Sequence, residues 1–253
     1  MHIETQGRGA DLVLIHGWAM HAGIFAPLAR ALSPNFRLHL VDLPGHGFSR
    51  DDGSPLDPAG CAKLIADAVP RAIWLGWSLG GLFAMQAALD EPANVRGLVM
   101  IASSPRFVVG DDWKEGVAAS VFAEFGAGLA QDYRGTIERF LALEALGSEN
   151  TRGELRGLKT QVFARGEPSM AALEEGMRIL ETADLRAETA RLAMPSLWIA
   201  GRRDRLINPA AMRWAAAQSG GRYLECNSGH APFLAHADAV AQAIADFAKG
   251  LPA

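Results

Sequence analysis

Gly76-Trp77-Ser78-Leu79-Gly80 matches the spacing G-x-S-x-G, a pattern that can present a serine as a nucleophile. A short apolar run, Ala72–Leu75, leads into it and an Ala- and Leu-rich stretch, Leu79–Leu89, leads out, so the pentapeptide lies on a strand-to-helix turn. Such a turn is tight and strains the serine backbone, and a side chain at Gly76 or Gly80 would crowd it. The plain reading is a glycine-rich turn with no chemistry. The strand before it and the helix after it favour a nucleophile at Ser78.

A serine hydroxyl needs a base, and the base needs an acid to orient it. After a serine on such a turn, the acid and then the histidine follow in chain order. His230 lies in Ser228-Gly229-His230-Ala231-Pro232-Phe233, and Asp204 lies in Gly201-Arg202-Arg203-Asp204-Arg205. Each segment ends a strand-like run, which places both at the sheet edge where Ser78 stands. The rivals fit less well. His236 falls at a helix entry, and His2, His21, His39 and His46 precede the serine. Asp184 lies in a helical stretch and Asp238 follows the histidine. The predicted triad is therefore Ser78, Asp204 and His230. The predicted oxyanion donors are the backbone N–H groups of Leu79, after the nucleophile, and Trp18, in the His16-Gly17-Trp18 loop. The Trp18 ring either walls an acyl pocket or is an ordinary core aromatic. His16 is expected to be structural, and the turn-rich Asp42–Ser49 loop to be scaffold with His46 outside the chemistry.

These residues need a frame. Six apolar runs read as strands: Leu12–Ile15, Phe36–Val41, Ala72–Leu75, Val95–Ala102, Ser196–Ala200 and Arg222–Cys226. Helical spacing marks Ala22–Leu32, Leu79–Leu89, Pro209–Gln218 and Asp238–Lys249. The alternation predicts an α/β fold with a mostly parallel sheet flanked by helices. Between about Arg106 and Leu192 the apolar spacing is helical throughout, as in Phe122, Phe125 and Leu129, or Leu173, Met177 and Leu180. Residues 106–192 are therefore expected to form a helical cap inserted in a core of residues 1–105 and 193–253.

Composition narrows the class. Of 253 residues 49% are hydrophobic, too many for a disordered chain. The net charge of −4 argues against a dedicated nucleic-acid binder. Two cysteines, Cys61 and Cys226, make no disulfide framework and read as small buried fillers. Metal-ligand spacings and phosphate-binding loops are absent from the sequence, so no metal or cofactor is expected. With no signal-like start and no apolar run long enough to span a membrane, a cytoplasmic monomer is expected.

With the elbow, Asp204, His230 and the helical insertion in place, the chain resembles the α/β-hydrolase superfamily. Within it the chain resembles the family of pimeloyl-[acyl-carrier-protein] methyl ester esterases. The specific stretches are Trp74-Leu75-Gly76-Trp77-Ser78-Leu79-Gly80-Gly81 and Glu138-Arg139-Phe140-Leu141-Ala142-Leu143. His16-Gly17-Trp18, Leu38–Gly45, Val99–Pro105 and His230-Ala231-Pro232-Phe233 add to them. The resemblance implies hydrolysis of the methyl ester of pimeloyl-acyl carrier protein, freeing the carboxylate for biotin synthesis. It implies substrate contacts at Trp18, Ser78, Leu79, Phe140, Leu141, Ala142, Leu143, Glu144 and His230. It also implies docking of the acidic acyl carrier protein on Arg139, Arg152, Arg156 and Lys159. Glu144 adds a negative charge beside the expected pocket.

The basic residues can also be read without the family. Arg152, Arg156 and Lys159 share one helix face by their spacing, and Arg152–Arg165 holds four basic residues against one acid, Glu154. Such a face either steers an acidic partner or is simply solvated. Two other functions stand beside the main one: a general short-chain carboxylesterase, and a noncatalytic ligand-binding protein of the same fold.

Overall fold

In the computed structural model, which describes residues 1–252, the apolar runs become strands of one seven-stranded sheet. The strands are β1 (His2–Gly7), β2 (Ala10–Ile15), β3 (Phe36–Asp42), β4 (Ala72–Trp77), β5 (Val95–Ile101), β6 (Ser196–Gly201) and β7 (Arg222–Cys226). Their order across the sheet is β1-β3-β2-β4-β5-β6-β7. Every neighbouring pair is parallel except β1 with β3. Every residue of β4 and β6 is buried, because helices cover both faces of a parallel sheet. Strand β1 was not among the six runs read from sequence. It is a polar edge strand, His2-Ile3-Glu4-Thr5-Gln6-Gly7, held by its antiparallel ladder to β3 rather than by an apolar face.

The core helices are α1 (Ala26–Leu32), α2 (Pro58–Ala68), α3 (Leu79–Asp90), α9 (Pro209–Gln218), α10 (Pro232–Ala235) and α11 (Ala237–Lys249). The single helix expected over Ala22–Leu32 is divided into a 3-10 turn, Ala22–Phe25, and α1, which starts beside Pro27. Helix α2 was not foreseen. Asp57 caps it by accepting the Gly60 N–H, and Pro58 takes the first position, where a missing N–H costs nothing. Asn208 caps α9 by accepting the Ala210 N–H.

Between β5 and β6 lie α4 (Ala119–Gln131), α5 (Tyr133–Ala145), α6 (Thr151–Val162), α7 (Met170–Thr182) and α8 (Arg186–Thr189). This stretch holds only isolated β-bridges, such as Arg106 with Asp184 and Val108 with Val117. Asp132, Asn150 and Ser169 start α5, α6 and α7 by accepting the N–H groups of Gly135, Gly153 and Ala172. The apolar positions Phe122, Leu129, Ile137, Phe140, Leu158, Leu173, Met177 and Leu180 are all buried, so the helical period is spent on packing. Polar contacts help fasten this segment to the core. Arg165 reaches Asp42 and Glu4, each at 3.1 Å. His21 Nε2–H donates to the Gln161 carbonyl at 2.7 Å.

The connections after β4, β6 and β7 carry Ser78, Asp204 and His230 to one edge of the sheet, the carboxyl ends of its parallel strands.

Candidate active site

Ser78 stands between β4 and α3 with φ 53° and ψ −123°, a conformation few non-glycine residues adopt. The glycines around it make that turn possible. A Cβ on Gly76 would lie 2.3 Å from the Gly80 carbonyl oxygen and 2.4 Å from Gly81 Cα. One on Gly80 would lie 2.3 Å from the Ile15 carbonyl oxygen. The elbow therefore wedges α3 directly against β4 and β2, and the hydroxyl is left at the sheet edge.

His230 joins the other two groups. Its Nε2 lies 2.8 Å from Ser78 Oγ and its Nδ1 lies 2.8 Å from Asp204 Oδ2. The arrangement fits Nδ1–H donating to the carboxylate and Nε2 accepting from the serine hydroxyl. Asp204 Oδ1 accepts the backbone N–H groups of Leu206 at 2.8 Å and Ile207 at 3.0 Å, which fixes the plane of its carboxylate. Trp77 Nε1–H donates to the His230 carbonyl at 2.9 Å, tying the histidine loop to β4. Ser78 is 3% exposed and His230 1%. Burial alone would lower the imidazole pKa, but the charge of Asp204 and its hydrogen bond outweigh burial and raise it. The three groups can pass a proton from serine to histidine and stabilise the imidazolium that results.

The predicted oxyanion region is assembled beside the serine. Leu79 opens α3, where a backbone N–H has no intrahelical acceptor. The His16-Gly17-Trp18 loop runs against the serine, since a Cβ on Gly17 would lie 3.2 Å from Ser78 Cβ. The Trp18 ring is fully buried. It packs against Phe140 at 4.7 Å between centroids, and its Nε1–H donates to the Leu173 carbonyl at 2.9 Å. A Cβ on Gly176 of α7 would touch both Trp18 and Leu79. Trp18, Leu79 and Phe140 thus come together as an apolar wall from three elements.

Helix α5 divides the Phe140–Glu144 stretch between two faces. Phe140, Leu141 and Glu144 are buried, whereas Ala142 and Leu143 are half-buried. Leu143 lines a surface groove with Arg139 and Phe125. The histidines read as noncatalytic are elsewhere engaged. His16 Nε2 accepts the Leu43 N–H at 3.0 Å, and burial holds its pKa down at about 3, so it stays neutral. His46 donates to the Pro44 carbonyl, and burial lowers it to about 4. Asp184 pairs with Arg106 and Arg186.

Glu144 departs from the sequence expectation of a negative charge. Its side chain is 0% exposed, and burial raises its pKa to about 8, so it is a neutral acid at pH 7. Its Oε1 lies 3.9 Å from His230 Nε2, and neither carboxyl oxygen has a hydrogen-bond partner among the described residues. Glu154 was not singled out from sequence. It faces inward on α6, and burial raises its pKa to about 7. The available signal was its position one turn before Leu158, on the buried side of the helix.

Glu144→Gln tests the neutral state. A folded-state pKa above the unfolded value means the native state holds a proton that the unfolded chain gives up. Stability from that proton is complete below about pH 4.5 and is lost as pH rises through about 8. Glutamine has no such loss. The variant is expected to match the parent in unfolding free energy near pH 5 and to exceed it near pH 8, by on the order of 2–4 kcal/mol. Equal pH dependence in melts of both proteins would show that Glu144 is ionised in the fold.

The basic residues predicted to dock a partner are only partly brought together. Arg152, Arg156 and Lys159 line one shallow groove on α6 with Leu155 and Thr160. Arg139 is apart on α5, bonded to Thr136 and Asp132. Arg165, counted in the positive stretch, turns inward to Asp42 and Glu4. Lys159 pairs with Glu138, which leaves Arg152 and Arg156 as the exposed charges without an ion-pair partner among the described residues. A second groove, of about 740 Å³, opens between α6 and the core, with Arg156 and Glu154 on one side and Ile24 and Leu234 on the other. The described residues hold no cluster suited to a metal ion, and no helix among them is long and apolar enough to cross a membrane.

Residues 12–243 match the model of the alpha/beta hydrolase family. A pimeloyl-[acyl-carrier protein] methyl ester esterase from Xanthomonas campestris pv. campestris (strain B100) is 55% identical over 254 residues, covering 100% of both chains. One from Stenotrophomonas maltophilia (strain R551-3) is 57% identical, covering 99% of this chain and 97% of that one. Among solved structures, an esterase from Exiguobacterium antarcticum superposes with a TM-score of 0.89 at 20% identity, covering 98% of this chain and 95% of that one. An enol-lactonase from Burkholderia xenovorans LB400 does so with a TM-score of 0.85, also at 20% identity, covering 98% and 96%. At that identity the likeness establishes the fold, an α/β-hydrolase fold, and nothing finer.

Proposed function

Because this chain belongs to the alpha/beta hydrolase family, and within it to the pimeloyl-[acyl-carrier protein] methyl ester esterases, we propose that it hydrolyses the methyl ester of pimeloyl-acyl carrier protein through a serine acyl-enzyme. The observation that carries the chemistry is the continuous chain Ser78–His230–Asp204, with both links at 2.8 Å. His230 takes the Ser78 proton as Oγ attacks the ester carbonyl. The Leu79 and Trp18 N–H groups hold the oxyanion. Protonated His230 gives its proton to the departing methoxy oxygen, and methanol leaves. Water, deprotonated by the same nitrogen, then releases the carboxylate.

Residues 106–192 act as the cap in this reading, and residues 1–105 and 193–253 as the core. The carrier docks on the cap face at Arg152, Arg156 and Lys159, with Arg139 apart from them on α5. The wide groove between α6 and the core shares Arg156 with that face and is lined also by Glu154, which supports it as the way in for a tethered acyl chain. Trp18, Leu79 and Phe140 then line the acyl end.

The decisive comparison is between pimeloyl-carrier methyl ester and a free methyl ester of equal chain length. The carrier-bound ester is expected to give the higher kcat/KM. Reversing the charge of Arg152 and Arg156 together should raise KM for it about tenfold or more while moving the free ester less than about twofold, since screened surface charges act on encounter rather than chemistry. Equal handling of both esters, in the parent and in the variant, would mark a general short-chain carboxylesterase instead.

A further inference from the structure

The mechanism above leaves one buried group unused. Glu144 Oε1 lies 3.9 Å from His230 Nε2, the nitrogen that also faces Ser78 Oγ at 2.8 Å. That separation is too long for a hydrogen bond and right for a bridge. A single oxygen about 2.8 Å from each atom fits across it. Both Glu144 oxygens are sealed from solvent and without a partner among the described residues, an arrangement that costs stability unless a ligand uses it.

We infer that Glu144 is a water-positioning catalytic residue that accepts a hydrogen bond from the attacking water in the second half of the reaction. The inference rests on the reading of Ser78 as the acyl-enzyme nucleophile. In that half, one O–H bond of water breaks as its oxygen bonds to the acyl carbon, and the proton passes to His230 Nε2. When the tetrahedral intermediate collapses, the carbon–Oγ bond breaks and the Nε2 proton returns to Ser78. The second hydrogen of the water points at Glu144 Oε1. In the first half, the same place holds the alkoxy oxygen of the ester, which brings no hydrogen to donate. Glu144 therefore acts on deacylation and leaves acylation nearly untouched.

The surroundings keep the acid suited to this role. The groups facing it are His230, Asp204 beyond the imidazole, and Glu154 from α6. Burial outweighs the opposing pull of His230 and, with smaller help from Asp204 and Glu154, pushes the Glu144 pKa up to about 8. A neutral acid accepts the water hydrogen without adding a fixed negative charge that would trap His230 as imidazolium, which could not serve as a base.

The test separates the two half-reactions with p-nitrophenyl acetate in stopped flow. Glu144→Leu is expected to show acylation within about threefold of the parent and deacylation slower by about 10²-fold, the lower end of what a positioned proton-handling group contributes. A burst of one p-nitrophenolate per enzyme and an acetyl adduct on Ser78 follow. Glu144→Gln, whose amide oxygen keeps the acceptor, should recover deacylation to within about fivefold of the parent. Methanol added as a competing acyl acceptor gives a second readout. It has one O–H, which goes to His230, so the leucine variant should lose the preference for water over methanol by a similar factor. Should Glu144→Leu not fold, Glu144→Met carries the same measurements. Equal slowing of both halves, an unchanged water-to-methanol ratio, or a glutamine variant as poor as leucine would overturn the inference. A burst in the leucine variant with no acetyl adduct on Ser78 would overturn the Ser78 reading itself, and this role with it.

Discussion

Ser78→Ala is expected to lower kcat/KM for ester hydrolysis by about 10⁵–10⁶-fold and to leave the thermal midpoint nearly unchanged. The reason lies in how little else Ser78 Oγ does. Its hydrogen-bond partner is His230 Nε2, and the fold around it is held by backbone and glycine clearances rather than by the hydroxyl. Alanine meets the same steric cost as serine at φ 53°, so the elbow survives the exchange. Ser78→Gly makes the converse point. It should be equally inactive and somewhat more stable, because glycine tolerates positive φ without strain. What remains in both variants is the weak catalysis of a bound ester by ordered water and oxyanion donors. Parallel assays on p-nitrophenyl acetate and on the carrier-bound methyl ester, with melts of each protein, check both halves of the expectation. Turnover within tenfold of the parent in a folded Ser78→Ala protein would remove the nucleophile from the mechanism.

The parts of the site that local sequence determines were legible before the structure. The elbow is one, because Gly76, Ser78 and Gly80 serve a single tight turn whose demands are written within five residues. Asp204 and His230 are others, because each follows directly on an apolar strand and its turn. The parallel strands read clearly since burial on both faces makes them continuously apolar. Strand β1 did not, because its pairing to β3 comes from backbone hydrogen bonds along a polar edge, a partner 30 to 40 residues away that leaves no pattern in His2–Gly7 itself. The charge at Glu144 could not be read either. On α5 alone it is an acid on a helix. Only when α5 meets the loops of Asp204 and His230 does it lose all solvent and keep its proton. The basic face of α6 was half legible for the same reason. Helical spacing aligned Arg152, Arg156 and Lys159, but the engagement of Lys159 with Glu138 and of Arg165 with Asp42 depends on tertiary contacts across 21 and 123 residues.

Asp204→Asn is expected to cost about 10⁴-fold in kcat, more than its small change in shape implies. The backbone N–H groups of Leu206 and Ile207 decide the outcome. They donate to Oδ1, and they need an acceptor oxygen in that place. Asparagine is therefore locked with its carbonyl toward them and its NH₂ toward His230 Nδ1, where Oδ2 now sits at 2.8 Å. An amide donor facing Nδ1 forces that nitrogen to be the acceptor and moves the ring proton to Nε2. Nε2–H cannot take the serine proton, so the base is lost although every heavy atom stays in place. The carboxylate charge that raises the imidazole pKa against the effect of burial goes at the same time. Because the base works only above its own pKa, the acid limb of kcat/KM in the variant should move to lower pH. Asp204→Ala, which removes the forced tautomer but also the orienting group, should lie closer to the parent in tautomer and further in geometry. A pH–rate profile of the three proteins separates these effects. An asparagine variant that keeps the parent acid limb and more than about a tenth of its kcat would show that Asp204 only packs against His230 and does not set its proton.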